Sequence, residues 1–134
     1  MRMKYLVDTD IASYYLRGLH SLDRVFREKG HHNLTLSIVT VAQMRVLAHR
    51  NPLSKVNLTS VNDLVRRFGV LEINQETWET FSKIKAETMQ RGETRGDLDI
   101  LQASIAKRHN LIVVTHNVRH FEGIAVWEDW VERP

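Results

Sequence analysis

Residues 4–17 read KYLVDTDIASYYLR. KYLVD is a short apolar run ending on a carboxylate, Asp8, and it predicts a buried strand from residue 4 to residue 8. Thr9 or Asp10 can then cap a helix through IASYYLR. Leu22, Val25 and Phe26 continue a helical stripe that stops near Gly30, a residue suited to ending helices.

Working outward, LTLSIV (34–39) is the second strand expected, and TVAQMRVLAHR carries Val41, Met44, Leu47 and Ala48 at helical spacing before Asn51-Pro52 ends it. Residues 55–68 predict another amphipathic helix, and VLEI (70–73) a third strand. Trp78, Phe81, Ile84 and Met89 fall on one broad face of a helix over 75–90, followed by the polar loop RGETRG. From Asp97 to Arg108, Leu98, Leu101 and Ile105 form a further helical stripe. LIVVT (111–115) is the clearest strand; the turn NVRHF, a last strand around IAVW and the tail EDWVERP close the chain. No repeat or low-complexity stretch interrupts the alternation.

Strands alternating with helices imply a three-layer α/β/α domain with a mostly parallel central sheet, and residues 1–134 are expected to form one such domain. A chain of 134 residues should bury roughly two-thirds of its unfolded surface, enough for one core. In such sheets ligands bind beyond the carboxyl ends of strands, where Asp8, Thr115 and Asn117 are expected.

Hydrophobic residues at 43% and charged residues at 26% are ordinary for a globular protein and exclude a disordered chain. The absence of cysteine excludes disulfides and thiolate zinc sites and points to a reducing, cytoplasmic compartment. MRMKYLVDTD reaches a charged residue after three apolar ones, so neither a signal peptide nor a membrane span is expected there or elsewhere. Nineteen Lys and Arg against sixteen Asp and Glu give a net charge of +3, which mildly favours polyanionic partners.

Asp8, directly after an apolar strand, reads both as a site carboxylate and as a helix N-cap. Asp97 and Asp99 lie two residues apart and so point about 200° apart on a helix; both should not face one site. Asp97 reads as an N-cap or helix-dipole partner. Asp99, one turn into the helix LDILQASIA, is the oddity, because an unpaired carboxylate among apolar neighbours is costly unless a metal or cation offsets it. Grouped carboxylates repel one another unless a hard cation such as Mg²⁺ or Mn²⁺ neutralises them, and oxygen-only ligation suits phosphate substrates.

These residues resemble the PIN-domain ribonucleases, in particular the VapC-type toxins of toxin–antitoxin pairs, and the resemblance covers almost the whole chain. LVDTDIASYYLR is similar to the family's opening block and implies Asp8 as its first acidic ligand. SIVTVAQMR is similar to the second block, RGETRGDLDILQASIA to the third, which places an acid on Asp99, and LIVVTHNVRHFEGI with VWEDW to the last, which places Asn117 in the fourth position. Each block is weak alone; four in order are specific. The resemblance implies a Mg²⁺- or Mn²⁺-dependent endoribonuclease, a homodimer, and a VapB-type antitoxin covering the groove. Asp8 and Asp99 are the metal-ligand candidates, and Asp8, Gln43, Asp99 and Asn117 the catalytic set. Thr9, Thr115, Arg95 and Arg119 are candidate substrate contacts.

One departure matters. Gln43 stands where the family carries its second acid, and its amide brings no negative charge. An engineered Glu-to-Gln change, a natural attenuated site, or compensation by Asp10 or Asp97 would each account for it. The isosteric character of the change favours the first two. A PIN-fold module that binds RNA or antitoxin without cutting is therefore the alternative to the enzyme. DTDIA and GDLD also resemble haloacid-dehalogenase-type phosphatase motifs, but KAETMQRGETR before the second is polar and helical where an apolar strand is required. His116 and His120, four apart, could form a metal pair but read more simply as surface or RNA-facing groups. Arg91, Arg95 and Arg119 are phosphate contacts or solvated side chains. Trp78, Tyr14 and Tyr15 read as core or interface rather than base-stacking platforms.

Overall fold

The computed structural model describes residues 3–131. Five strands form one parallel sheet in the order β3-β2-β1-β4-β5: β1 (Tyr5–Val7), β2 (Leu34–Ser37), β3 (Val70–Leu71), β4 (Ile112–Val114) and β5 (Trp127–Glu128). Six helices connect them: α1 (Thr9–Leu16), α2 (Leu22–Lys29), α3 (Ile38–Arg50), α4 (Leu58–Phe68), α5 (Gln75–Gln90) and α6 (Asp97–Arg108).

Alternation along the strands sorts the core onto the two faces of the sheet. Tyr5, Val7 and Val114 point to one face, where Ile11 of α1, Phe26 of α2, Met44 of α3 and Leu64 and Phe68 of α4 cover them. Leu6 and Val113 point to the other, under Ile84 of α5 and Ile100, Ala103 and Ile105 of α6. Both faces are covered, so the three-layer α/β/α expectation holds. The strands are accordingly short apolar runs rather than polar–apolar alternations.

Several boundaries differ from the sequence reading. LTLSIV stops being a strand at Ser37, whose hydroxyl accepts the Thr40 N–H at 3.1 Å and so caps α3; Ile38 and Val39 are already helical. The stripe expected to run through Leu22 and Phe26 is two helices, broken where Gly18, His20 and Ser21 all have positive φ of 71°, 58° and 52°. The helix expected from residue 55 starts at Leu58, where Asn57 and Ser60 form a capping box. Gly30 does end α2, with φ of 90°.

Trp78 and Met89, expected on the buried face of α5, are 49% and 64% exposed. Ile84 is buried as expected, but Thr77 and Thr88 face the core beside it, because packing against α6 chooses a face that a broad apolar stripe leaves open. Leu98 is likewise exposed, while Ile100, Leu101 and Ile105 are buried. Tyr15 does enter the core, stacked on Phe26 with ring centroids 4.3 Å apart.

Candidate active site

The chain builds β2 and β3 on one side of β1, then crosses to place β4 and β5 on the other. The carboxyl ends of β1 and β4 therefore flank the point where strand order reverses, the place where open parallel sheets form their ligand crevice. Asp8 follows β1 and Thr115 follows β4, and the Thr115 hydroxyl donates to Asp8 Oδ2 at 2.9 Å. Neither Thr9 nor Asp10 caps α1; Asp8 occupies the N-cap position, yet its carboxylate makes no cap hydrogen bond and is left for the crevice.

A buried amide holds the second oxygen of Asp8. Gln102 of α6, 1% exposed, donates through Nε2 to Asp8 Oδ1 at 3.3 Å and to Thr40 Oγ1 at 2.9 Å, while its Oε1 accepts from the Ser37 hydroxyl. Sequence reasoning passed over Gln102, Thr40 and Ser37. The available signal was a glutamine three residues after Asp99, one turn on, inside the apolar helix LDILQASIA.

Burial above all, then the charge of Asp10 and also that of Asp99, pushes the Asp8 carboxyl up to about 6, against lowering by the Thr9 N–H and the Thr115 hydroxyl. Asp99 is raised by burial and by Asp10, opposed by His120 and Arg95. Its Oδ2 lies 3.2 Å from His120 Nδ1. A Cβ on Gly96, the residue before α6, would stand 3.3 Å from that same oxygen, so a glycine there leaves the carboxylate room to fold back over the helix start. Asp99 lies in the first turn of α6, not one turn in, and Gly96, not Asp97, is the N-cap. Asp97 turns away: it is 68% exposed and paired with Lys85 at 2.8 Å.

Asp10 is raised by burial but lowered by three backbone N–H groups, those of His116 (2.9 Å), Ile11 (2.8 Å) and Asn117 (3.2 Å). It fastens the turn after β4 and adds negative charge beside Asp8. Asn117 is exposed, and its N–H also donates to Thr115 Oγ1 at 3.1 Å. Gln43 of α3 accepts a hydrogen bond from the Thr9 hydroxyl through Oε1, which ties α1 to α3 beside the crevice. Arg95 has its guanidinium on the carbonyls of Arg119 (3.4 Å), His120 (3.0 Å) and Glu122, and on Glu93 at 3.2 Å. Arg119 lies exposed on the turn that Arg95 holds. His116 Nδ1 meets Asp129 at 3.0 Å rather than His120, so the two histidines do not form a metal pair.

Among the described residues, no three His, Asp or Glu side chains are gathered tightly enough to ligate one ion. The pair Asp8 and Asp99 nonetheless fits a hard divalent cation. Both are oxygen donors, both are raised by burial and by neighbouring negative charge, and a cation would relieve that repulsion. Gln43 adds a neutral carbonyl oxygen at most.

The family model described as PIN domain matches residues 5–126. "Ribonuclease VapC2" of Haemophilus influenzae is 31% identical over 133 residues, which cover 96% of this chain and 99% of that protein. "tRNA(fMet)-specific endonuclease VapC" of Shigella flexneri is 26% identical, with 96% and 98% covered. The crystal structure of DNA-bound VapBC from Salmonella typhimurium matches with a TM-score of 0.84 and 26% identity, over 96% of this chain and 98% of that one.

Proposed function

This chain belongs to the PIN-domain family, and from that premise we propose that it is an endoribonuclease of VapC type, the toxin of a toxin–antitoxin pair, with its site at Asp8, Gln43, Asp99 and Asn117. PIN-domain nucleases of this type depend on a divalent metal. The ion proposed is Mg²⁺ or Mn²⁺, held by Asp8 and Asp99; when bound it supplies a Lewis acid and an activated water for phosphodiester hydrolysis.

The observation that carries the reading is Asp8. It is a carboxylate at the reversal point of the sheet, gripped on both oxygens by Gln102 and Thr115 and pushed up to about 6 by burial and like charge. Unlike Asp97, which is paired with Lys85, and Asp10, which is tied down by three backbone N–H groups, Asp8 is held by two neutral side chains that aim it at the crevice. Thr115 and Gln102 act as positioning residues, Thr9 holds the Gln43 amide, and Asn117 and Arg119 stand exposed for the RNA strand. Arg95 serves the substrate by holding the backbone of the turn that carries Arg119 and His120.

The proposal extends to one domain over residues 1–134, a cytoplasmic homodimer, and a VapB-type antitoxin as partner. Among the described residues no helix is long and apolar enough to cross a membrane. Gln43 favours a second reading, a PIN fold that binds RNA or antitoxin without cutting, because its amide brings no charge and already bonds Thr9.

RNA cleavage assayed with Mg²⁺ and Mn²⁺, for the chain as written and for Gln43→Glu, separates the two. Faster metal-dependent cleavage by Gln43→Glu is the expected result. RNA binding without cleavage in both proteins would overturn the enzyme reading.

A further inference from the structure

Most arginines among the described residues are occupied. Arg27 pairs with Asp23, Arg66 with Asp63, Arg91 with Glu93 and Arg108 with Glu76, while Arg67 bonds the Tyr15 hydroxyl and Arg95 binds backbone carbonyls. Among the described residues the side chains of Arg45 and Arg119 have no acidic or hydrogen-bonding partner, and the same holds for the exposed Arg17 and Arg50. Arg17 and Arg50 line the same groove, about 350 Å³, together with Ser13, Leu47, Asn51 and Ser54.

The groove lies along the same two helices that meet beside the crevice. Thr9, Ser13 and Arg17 lie four residues apart along α1 and its end, so they share one helical face; Gln43, Leu47 and Arg50 do the same on α3. The Thr9–Gln43 hydrogen bond joins the two faces at the crevice, and Arg17 and Arg50 join them at the far end of the groove. Eight residues of helix separate Thr9 from Arg17, about 12 Å at 1.5 Å per residue.

We propose that the α1–α3 groove is an RNA-backbone subsite in which Arg17 and Arg50 grip phosphates about 12 Å from the reacting phosphodiester. The proposal rests on the ribonuclease reading and adds where the strand runs. Charge complementarity selects the occupant. Two guanidiniums without a protein acid have their fork of donors free for phosphate oxygens, and the Ser13 and Asn51 side chains can serve sugar or phosphate oxygens. The acidic crevice repels phosphates unless a cation is present, so cationic anchors remote from it would hold the strand while the cut phosphate meets the metal.

The test measures equilibrium binding of a single-stranded RNA by fluorescence anisotropy over a salt series in EDTA, which prevents cutting. Compared are the chain as written, Arg17→Gln/Arg50→Gln, and Arg66→Gln as a control whose arginine is already paired. Loss of two phosphate contacts should lower the slope of log K against log salt by about 1.4 and weaken binding about tenfold at moderate salt. Arg66→Gln should change neither. Melting temperatures should be nearly unchanged in both, since the Arg17 and Arg50 side chains make no ion pair or hydrogen bond among the described residues and the Arg66 pair is exposed.

An unchanged slope and affinity in the double variant would overturn the proposal, including the case in which the groove serves a protein partner instead. Binding is read without catalysis. Failure of the cleavage reading would therefore appear as absent cutting with the slope change intact, and failure of the groove as cutting with no slope change.

Discussion

Two charged corners of this molecule, built from similar residues, are balanced in opposite ways. At the loop before α6, Arg91 and Arg95 both reach Glu93, and Arg95, only 14% exposed at its side chain, also satisfies carbonyls of residues 119, 120 and 122. At the ends of β1 and β4, Asp8, Asp10 and Asp99 raise or feel one another, and Asp8 is held by neutral donors only. The first corner cements the turn; the second stores unfavourable charge. A site that keeps like charges together, with His120 and Arg95 offsetting Asp99 only in part and neutral donors alone on Asp8, suits a ligand that brings positive charge.

The sharpest way to break this contrast is to remove charge from the second corner. In the Gln43→Glu background, Asp99→Asn should lower metal-dependent RNA cleavage by about a hundredfold or more, while the fold is kept or improved. Cleavage unchanged by Asp99→Asn would remove Asp99 from the site.

Metal-free stability gives the next largest effect. The Asp8 carboxyl titrates at about 6 in the folded chain against an ordinary 3.8, so the folded protein holds that proton more tightly than the unfolded chain. Stability should then fall as pH rises from about 4 to about 6, by up to about 3 kcal/mol from this group. Asp8→Asn should be more stable by a comparable amount at pH 7 and no more stable below pH 4, as read by urea unfolding in EDTA. Adding Mg²⁺ or Mn²⁺ should stabilise the parent and leave the variant unmoved. A variant no more stable than its parent at pH 7 would mean that Asp8 carries no stored repulsion.

The first corner responds in the opposite sense. Arg95→Ala strips charge-assisted bonds from three carbonyls and should cost about 3 kcal/mol in the same unfolding experiment. Smallest is Asp97→Asn, which disrupts an exposed pair with Lys85 and should change stability by about 0.5 kcal/mol or less and cleavage not at all. A large cleavage loss in Asp97→Asn would mean that the choice of Asp99 was made on the wrong face of α6.

Local patterning carried much of this. Short apolar runs at 4–8 and 111–115 placed Asp8 and Thr115 at the same edge of a parallel sheet, because a strand buried on both faces must be apolar and the first polar residue after it lies at the rim. Helical phase separated Asp99 from Asp97, and the structure turns Asp97 outward to Lys85. The same periodicity misplaced Trp78 and Leu98, since an apolar stripe wider than the contact leaves packing partners to choose the buried part. What holds the Arg95 side chain could not be read, as apart from Glu93 its partners are backbone carbonyls 24 to 27 residues away.

By itself the sequence determined the order of strands and helices, the α/β class and the family blocks around Asp8, Gln43, Asp99 and Asn117, all of which are short-range patterns. Only the tertiary structure decided that β1 lies between β2 and β4, and with that the bonds that hold Asp8, from Gln102 at a separation of 94 residues and Thr115 at 107. The physical reason is that strand order and buried hydrogen bonding follow from how whole faces pack. No spacing within one helix or strand encodes which distant donor a buried carboxylate will meet.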